Sequence, residues 1–125
     1  VKVLLVEGED QMRSLLSLML ARSGYEVLVS SDPGSAFAIL SAHKPDVILI
    51  DIRVPPEPGL KLIRDVRALT TCADVPLIVL SGDGECLAAA QKAGSAAILR
   101  RPADYRRIPA TIEGVLLGRA GSVGW

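Results

Sequence analysis

Aromatic residues make up only 3% of this 125-residue chain, and it has two cysteines and a single histidine. No apolar run approaches the roughly 20 residues that a membrane span needs. With so few rings, a core can only be built from Val, Leu, Ile and Ala, and since half the residues are hydrophobic there is ample material for one. Cys72 and Cys86 lack the spacing of a zinc site or a redox CxxC pair, and two cysteines make a poor disulfide scaffold, so buried free thiols are expected. Lys+Arg and Asp+Glu each number 14, and no basic run exists that would neutralise a phosphate backbone, so direct nucleic-acid binding by this segment is not expected. The first residues enter a strand-like run without signal-peptide organisation, which together with the lack of a span predicts a cytoplasmic protein with no membrane contact.

What is present is a repeating alternation. Val3 to Val6 is continuously apolar, and Met12, Leu15, Leu16 and Met19 follow at helical spacing until Gly24. Glu26 to Val29 is a second short strand, and Pro33-Gly34 opens a helix with Ala36, Ile39 and Leu40 on one face. Val47 to Ile50 is again wholly apolar and stops at Asp51. A Pro-rich loop from Pro55 to Gly59 then precedes a helix carrying Leu62, Ile63, Val66 and Leu69. Val75 to Leu80 predicts the fourth strand, Glu85 to Ala93 a short helix closed by Gly94, Ala96 to Leu99 the fifth strand, and Ile108, Ile112, Val115 and Leu116 a last helix. Strands without polar alternation suit a parallel sheet covered by helices on both faces, so the fold class is α/β. The alternation does not give the strand order. One domain is expected over residues 1–117, with 118–125 as a tail or the start of a linker.

In open α/β sheets the ligand site lies beyond the carboxyl ends of the strands, so the residues that end each strand matter most. Here these are Glu7-Gly8-Glu9-Asp10, Asp51, Ser81 and Arg100-Arg101: acids, a hydroxyl and cations on one sheet edge, a set suited to a divalent ion and a phosphoryl group. Singly, most have ordinary explanations. Asp10 is best explained as a first-turn helix acid, and Glu9 can be one too; for Ser81 as an ordinary turn residue and Arg101 as an exposed strand-end charge, the ordinary and functional explanations weigh about evenly. Asp51 is different, because an ionisable group directly after four apolar residues is costly to desolvate unless something stabilises it.

Taken together, these residues resemble the receiver domain of bacterial two-component response regulators, from Val3 to about Leu117. Asp51 matches the phosphoacceptor, Pro55 and Gly59 the following loop, Ser81 the hydroxyl that ends the fourth strand, and Pro102 the final proline. The phrases Ser23-Gly24-Tyr25-Glu26-Val27 and Lys44-Pro45-Asp46 also look like the family. The resemblance implies a flavodoxin-like three-layer sandwich of strand order 2-1-3-4-5. It also implies that Asp51 accepts a phosphoryl group from a histidine kinase or phosphotransfer protein and regulates an output domain or partner protein. It assigns catalytic roles to Asp51, Ser81 and Arg101, and Mg²⁺ to Glu7, Asp51 and the backbone carbonyl of Arg53. It leaves a homodimer through the fourth and fifth helices open, with nothing in the helix faces to select it.

The sequence departs from the family pattern at three places. Gly8 stands where the family puts a second Mg²⁺ carboxylate, so weak metal binding is expected. Arg101 replaces the lysine, and Ile98 replaces the ring often found three residues earlier. An atypical receiver follows as an expectation, with Arg101 pairing with Asp51 without metal. Two readings therefore stand side by side: a receiver whose only chemistry is phosphotransfer to its own Asp51, and a phosphorylation-independent protein-interaction module. A flavodoxin-like cofactor binder is disfavoured by acids in the loop after the first strand, where an anion needs Gly, Ser or Thr amides. A hydrolase is disfavoured because His43, the sole histidine, lies at the opposite end of the sheet.

Overall fold

Short runs of branched apolar residues, with a polar or charged residue at one or both ends, form the strands β1 (Lys2–Val6), β2 (Glu26–Ser30), β3 (Val47–Asp51), β4 (Leu77–Ser81) and β5 (Ala97–Arg100). Between them lie the helices α1 (Asp10–Arg22), α2 (Pro33–Leu40), α3 (Glu57–Ala68), α4 (Gly84–Ala93) and α5 (Ile108–Gly121), the last entered through a 3₁₀ turn at Tyr105–Arg107. This computed structural model describes residues 1–53 and 55–121. Every strand pairing is parallel and the order is β2-β1-β3-β4-β5, as the resemblance implied.

Strand alternation sorts the core into two layers. Leu4, Val6, Ile48, Ile50, Leu77 and Val79 pack under α2, α3 and α4. Val3, Leu5, Val47, Leu49, Ile78 and Leu80 pack under Leu16 and Leu20 of α1 and Ile108 and Ile112 of α5. Strands covered on both faces need no polar positions, which is why β3 and β4 are buried throughout. Cys72 and Cys86 are buried free thiols.

Several boundaries differ from the sequence-based expectation. The fourth strand starts at Leu77 rather than Val75: the Val75 N–H closes a turn on the Cys72 carbonyl, Pro76 has no N–H, and the Val75 carbonyl accepts from Arg67 Nη1 at 2.7 Å. Helix α3 begins inside the Pro-rich segment, at Glu57, because a proline in the first turn removes only an N–H that the helix does not use, and Leu69 lies just past its end. On α1 the buried stripe is Leu16 and Leu20, while Leu15, counted above on the apolar face, is 60% exposed. Helix α5 runs to Gly121, past the expected boundary at Leu117; the rest of the expected tail, 122–125, lies outside the described residues. Among the described residues no helix is long and apolar enough to cross a membrane.

Glycines on α3 and α5 separate packing from propensity. A Cβ on Gly59 would stand 2.8 Å from Cγ1 of the buried Ile52 side chain, whereas one on Gly114 meets nothing within 4 Å. Gly59→Ala is expected to destabilise by about 1 kcal/mol, an overpacking cost of roughly 1–3 kcal/mol partly offset by ~1 kcal/mol of helix propensity. Gly114→Ala should stabilise by about 0.5–1 kcal/mol. Urea unfolding of the two variants checks the opposite signs.

Candidate functional site

The strand ends bring the predicted residues to one edge. Glu7 follows β1 directly, donates its N–H to the Ser30 carbonyl at 3.0 Å, and is completely buried. The register pairs Val6 with Ile50, so Glu7 leaves the sheet beside Asp51, whose side chain is also fully shielded. Ser81 ends β4, and its hydroxyl accepts from the Asp83 N–H at 3.1 Å; Asp83 in turn caps α4 by accepting from the Glu85 N–H at 2.9 Å. Arg101 follows β5 and donates its backbone N–H to the Ser81 carbonyl at 3.0 Å. Its Nε stands 2.8 Å from Asp51 Oδ1 and its Nη2 donates to the Ile52 carbonyl at 3.2 Å. The peptide bond between Arg101 and Pro102 is cis.

Arg53 completes the cluster. Ile52 donates its N–H to the Leu80 carbonyl at 2.8 Å and buries its side chain in the layer under α2 to α4. Alternation around it turns Asp51 and Arg53 together toward Glu7. The Arg53 guanidinium then faces three carboxylates: Nη2 is 2.8 Å from Asp51 Oδ2, Nε donates to Glu7 Oε2 at 3.2 Å, and Nη2 reaches Glu7 Oε1 at 3.4 Å and Glu9 Oε2 at 3.5 Å. Glu7 also accepts from the Glu9 N–H at 3.1 Å, and its carbonyl accepts from Arg13 Nη1, also at 3.1 Å. The two charges nearest Asp51 are close without being aligned as donors, so both of its oxygens, and Arg101 Nε, are buried without a hydrogen bond. Asp51 borders a cavity of about 170 Å³ together with Gly8, Arg53 and Pro58, and a second cleft of about 240 Å³ is lined by Ser81, Arg101, Arg53 and Cys86, among others.

Asp51, Ser81, Arg101 and Glu7 thus assemble at one edge, and the predicted pairing of Arg101 with Asp51 is present. Asp10 turns outward to Arg13 at 2.7 Å, as a first-turn acid. The sequence reasoning assigned Arg53 a role for its backbone carbonyl and missed its side chain; the available signal was its position two residues after Asp51, which returns it to the same side of an extended chain. A divalent ion fits this arrangement poorly. Gly8 supplies no ligand, the space among Glu7, Glu9 and Asp51 holds a guanidinium, and among the described residues no group of three or more His, Cys, Asp or Glu side chains is placed to hold a metal.

Two carboxylates in contact, with little water, compete for one proton. Burial and the neighbouring Glu7 carboxylate push Asp51 up from 3.8 to about 7, against the pull of Arg101 and Arg53. For Glu7, burial also acts upward, but the neighbouring Asp51 carboxyl, the Glu9 N–H and Arg53 outweigh it and bring it below its ordinary value. The folded state therefore keeps the Asp51 proton up to about pH 7 while the unfolded chain releases it near 3.8. This stabilising contribution is complete below the lower value and is lost as pH rises through the higher one. Glu7 acts in the opposite sense, favouring folding above its ordinary 4.5. Asp51→Asn should raise stability at pH 8 by about 1–2 kcal/mol and flatten the decline between pH 5 and 8, as read by urea titrations at each pH; an unchanged slope would contradict this assignment.

Comparison with known proteins places the chain. A family model described as response regulator receiver domain matches residues 3–113. The phosphate regulon transcriptional regulatory protein PhoB of Pseudomonas aeruginosa is 32% identical over 83 residues, covering 66% of this chain and 36% of that protein. The transcriptional regulatory protein CseB of Streptomyces avermitilis is 33% identical over 116 residues, covering 91% of this chain and 48% of that protein. The chain thus spans half or less of the length of these relatives. Among solved structures, the chemotaxis response regulator CheY4 of Vibrio cholerae has a TM-score of 0.83 at 26% identity, covering 92% of this chain and 98% of that one. A receiver domain protein of Clostridium thermocellum shares the fold with a TM-score of 0.86 at 22% identity, covering 98% and 99%. With the family match spanning nearly the whole sheet and its strand-end residues, the chain belongs to the response regulator receiver domains, the phosphoryl-accepting modules of two-component signal transduction.

Proposed function

We propose that this receiver accepts a phosphoryl group on Asp51 from the phosphohistidine of a histidine kinase or phosphotransfer protein, and that the modified domain regulates an output domain or partner protein. The observation that carries the reading is the Asp51 carboxylate itself: shielded at the sheet edge, with neither oxygen hydrogen-bonded, paired with two guanidinium groups, of which Arg101 also lines the cleft that holds Ser81. One carboxylate oxygen attacks phosphorus in line. The phosphorus–nitrogen bond to the donor imidazole breaks, the electron pair leaves on that nitrogen, and an acyl phosphate remains on Asp51. Arg101 balances charge on the phosphoryl oxygens, and the Ser81 hydroxyl, which accepts from Asp83 but has its own proton to give, donates to one of them. The attack needs the ionised acid, so its rate should rise with pH through about 7. That relatives such as PhoB and CseB are named transcriptional regulators, and are longer than this chain, supports an output function carried by further residues.

Incubation with a small phosphodonor such as phosphoramidate, followed by intact-protein mass spectrometry, is expected to give one phosphoryl adduct that Asp51→Asn abolishes. Ser81→Ala should slow its formation about tenfold, equivalent to ~1.4 kcal/mol of transition-state stabilisation. A wild-type protein that stays unmodified at pH 8 would contradict the proposal and favour the interaction-module reading.

A further inference from the structure

Receiver domains generally hold Mg²⁺ at the acidic pocket, and the residues here fit that ion poorly. We infer that the Arg53 guanidinium takes the place of the divalent cation in this chain, so that the cluster of Glu7, Glu9 and Asp51 is charge-balanced from within and phosphoryl uptake does not require Mg²⁺. The part concerning uptake rests on the function proposed above; the part concerning the cation does not.

Geometry carries the inference. One guanidinium bridges three carboxylates drawn from two segments of chain, with contacts of 2.8 Å to Asp51, 3.2 Å to Glu7 and 3.5 Å to Glu9. Bridging carboxylates from separate strand ends is the task that a metal ion would perform there, and the planar donor fork of a guanidinium suits it. Its placement is fixed by the backbone, since the buried Ile52 between them turns Arg53 to the same side as Asp51. Mg²⁺ needs near-ideal octahedral oxygen ligation at about 2.0–2.1 Å, so it could enter only by expelling this side chain. The ligand set would still be short of a carboxylate at Gly8.

That shortage is chemical and not steric. A Cβ on Gly8 would meet only the Ser31 carbonyl oxygen, at 3.4 Å, which is ordinary contact, and the backbone there does not demand glycine. A carboxylate can therefore be introduced at position 8, which gives the inference a test in both directions. Arg101, paired with Asp51 on its other oxygen, is left in place throughout.

The test titrates Mg²⁺ and Mn²⁺ into the wild-type protein, Arg53→Ala, Arg53→Gln and the double variant Gly8→Asp/Arg53→Ala by calorimetry, with thermal melts confirming that each is folded. Arg53→Gln keeps the packing volume in case the alanine variant is unstable. Saturable binding should be absent from wild type at millimolar metal, appear on removing the Arg53 charge with at least a tenfold gain in affinity, and tighten again with Gly8→Asp. Wild type binding either metal as tightly as Arg53→Ala or Arg53→Gln overturns the inference. In parallel, adduct formation from phosphoramidate is followed in EDTA and in Mg²⁺. Equal rates within about twofold for wild type, with Mg²⁺ dependence appearing in Arg53→Ala, support the inference; a wild-type adduct formed only with Mg²⁺ overturns it while leaving Asp51 as the acceptor. No adduct in either medium, with the metal titrations as expected, overturns Asp51 phosphorylation and Mg²⁺-free uptake with it, and supports the replacement of the cation by Arg53.

Discussion

Two carboxylates pressed together where a dry sheet ends cannot both be ionised without positive charge brought to them. That constraint organises this molecule. Glu7 and Asp51 are fully shielded, and an isolated buried carboxylate costs several kcal/mol. The chain meets the cost in two ways at once. One proton stays on the pair into the neutral range, and two guanidinium groups stand against the two Asp51 oxygens, one on each. Neither answer is complete, since the Asp51 oxygens accept no hydrogen bond. The carboxylate is thus held by charge while its lone pairs remain available, a state suited to a nucleophile.

The fold makes this arrangement possible by separating the apolar and polar tasks along each strand. From Val47 to Ile50 every side chain is buried in one of the two core layers, and only the following residue is free to do chemistry. The same division recurs at Glu7 after Val6 and at Ser81 after Leu80. Parallel pairing then brings these terminal residues to a single edge. The second layer of support is backbone: Arg101 is tied to the Ser81 carbonyl and Ile52 to the Leu80 carbonyl, so Arg101 and the residue that follows Asp51 are both referenced to β4.

What could be read from the sequence followed from this division. The five strands were legible because their runs are unbroken, and Asp51 because an acid follows four apolar residues. Strand order came only with the family resemblance, since alternation says nothing about winding. Errors arose where local chemistry overrode pattern. Val75 looks like strand but is spent on a turn before a proline; Pro58 looks like loop but sits comfortably in a first helical turn; Leu15 has the apolar character of its neighbours but lies off the stripe defined by Leu16 and Leu20. The Arg53 side chain was missed for a different reason. Its value depends on which way a loop residue points, and that is decided by the burial of Ile52, a tertiary fact.

The two-residue separation between Asp51 and Arg53 also changes what can regulate the pocket. A dissolved ion is present in proportion to its concentration, and a chelator or a shift in cellular supply empties its site. A charge tethered on so short a length of backbone has a fixed local concentration, independent of the medium. The positive charge that Arg53 brings to this edge is therefore set by the chain, while the negative charge that it faces still changes with the protonation of Asp51.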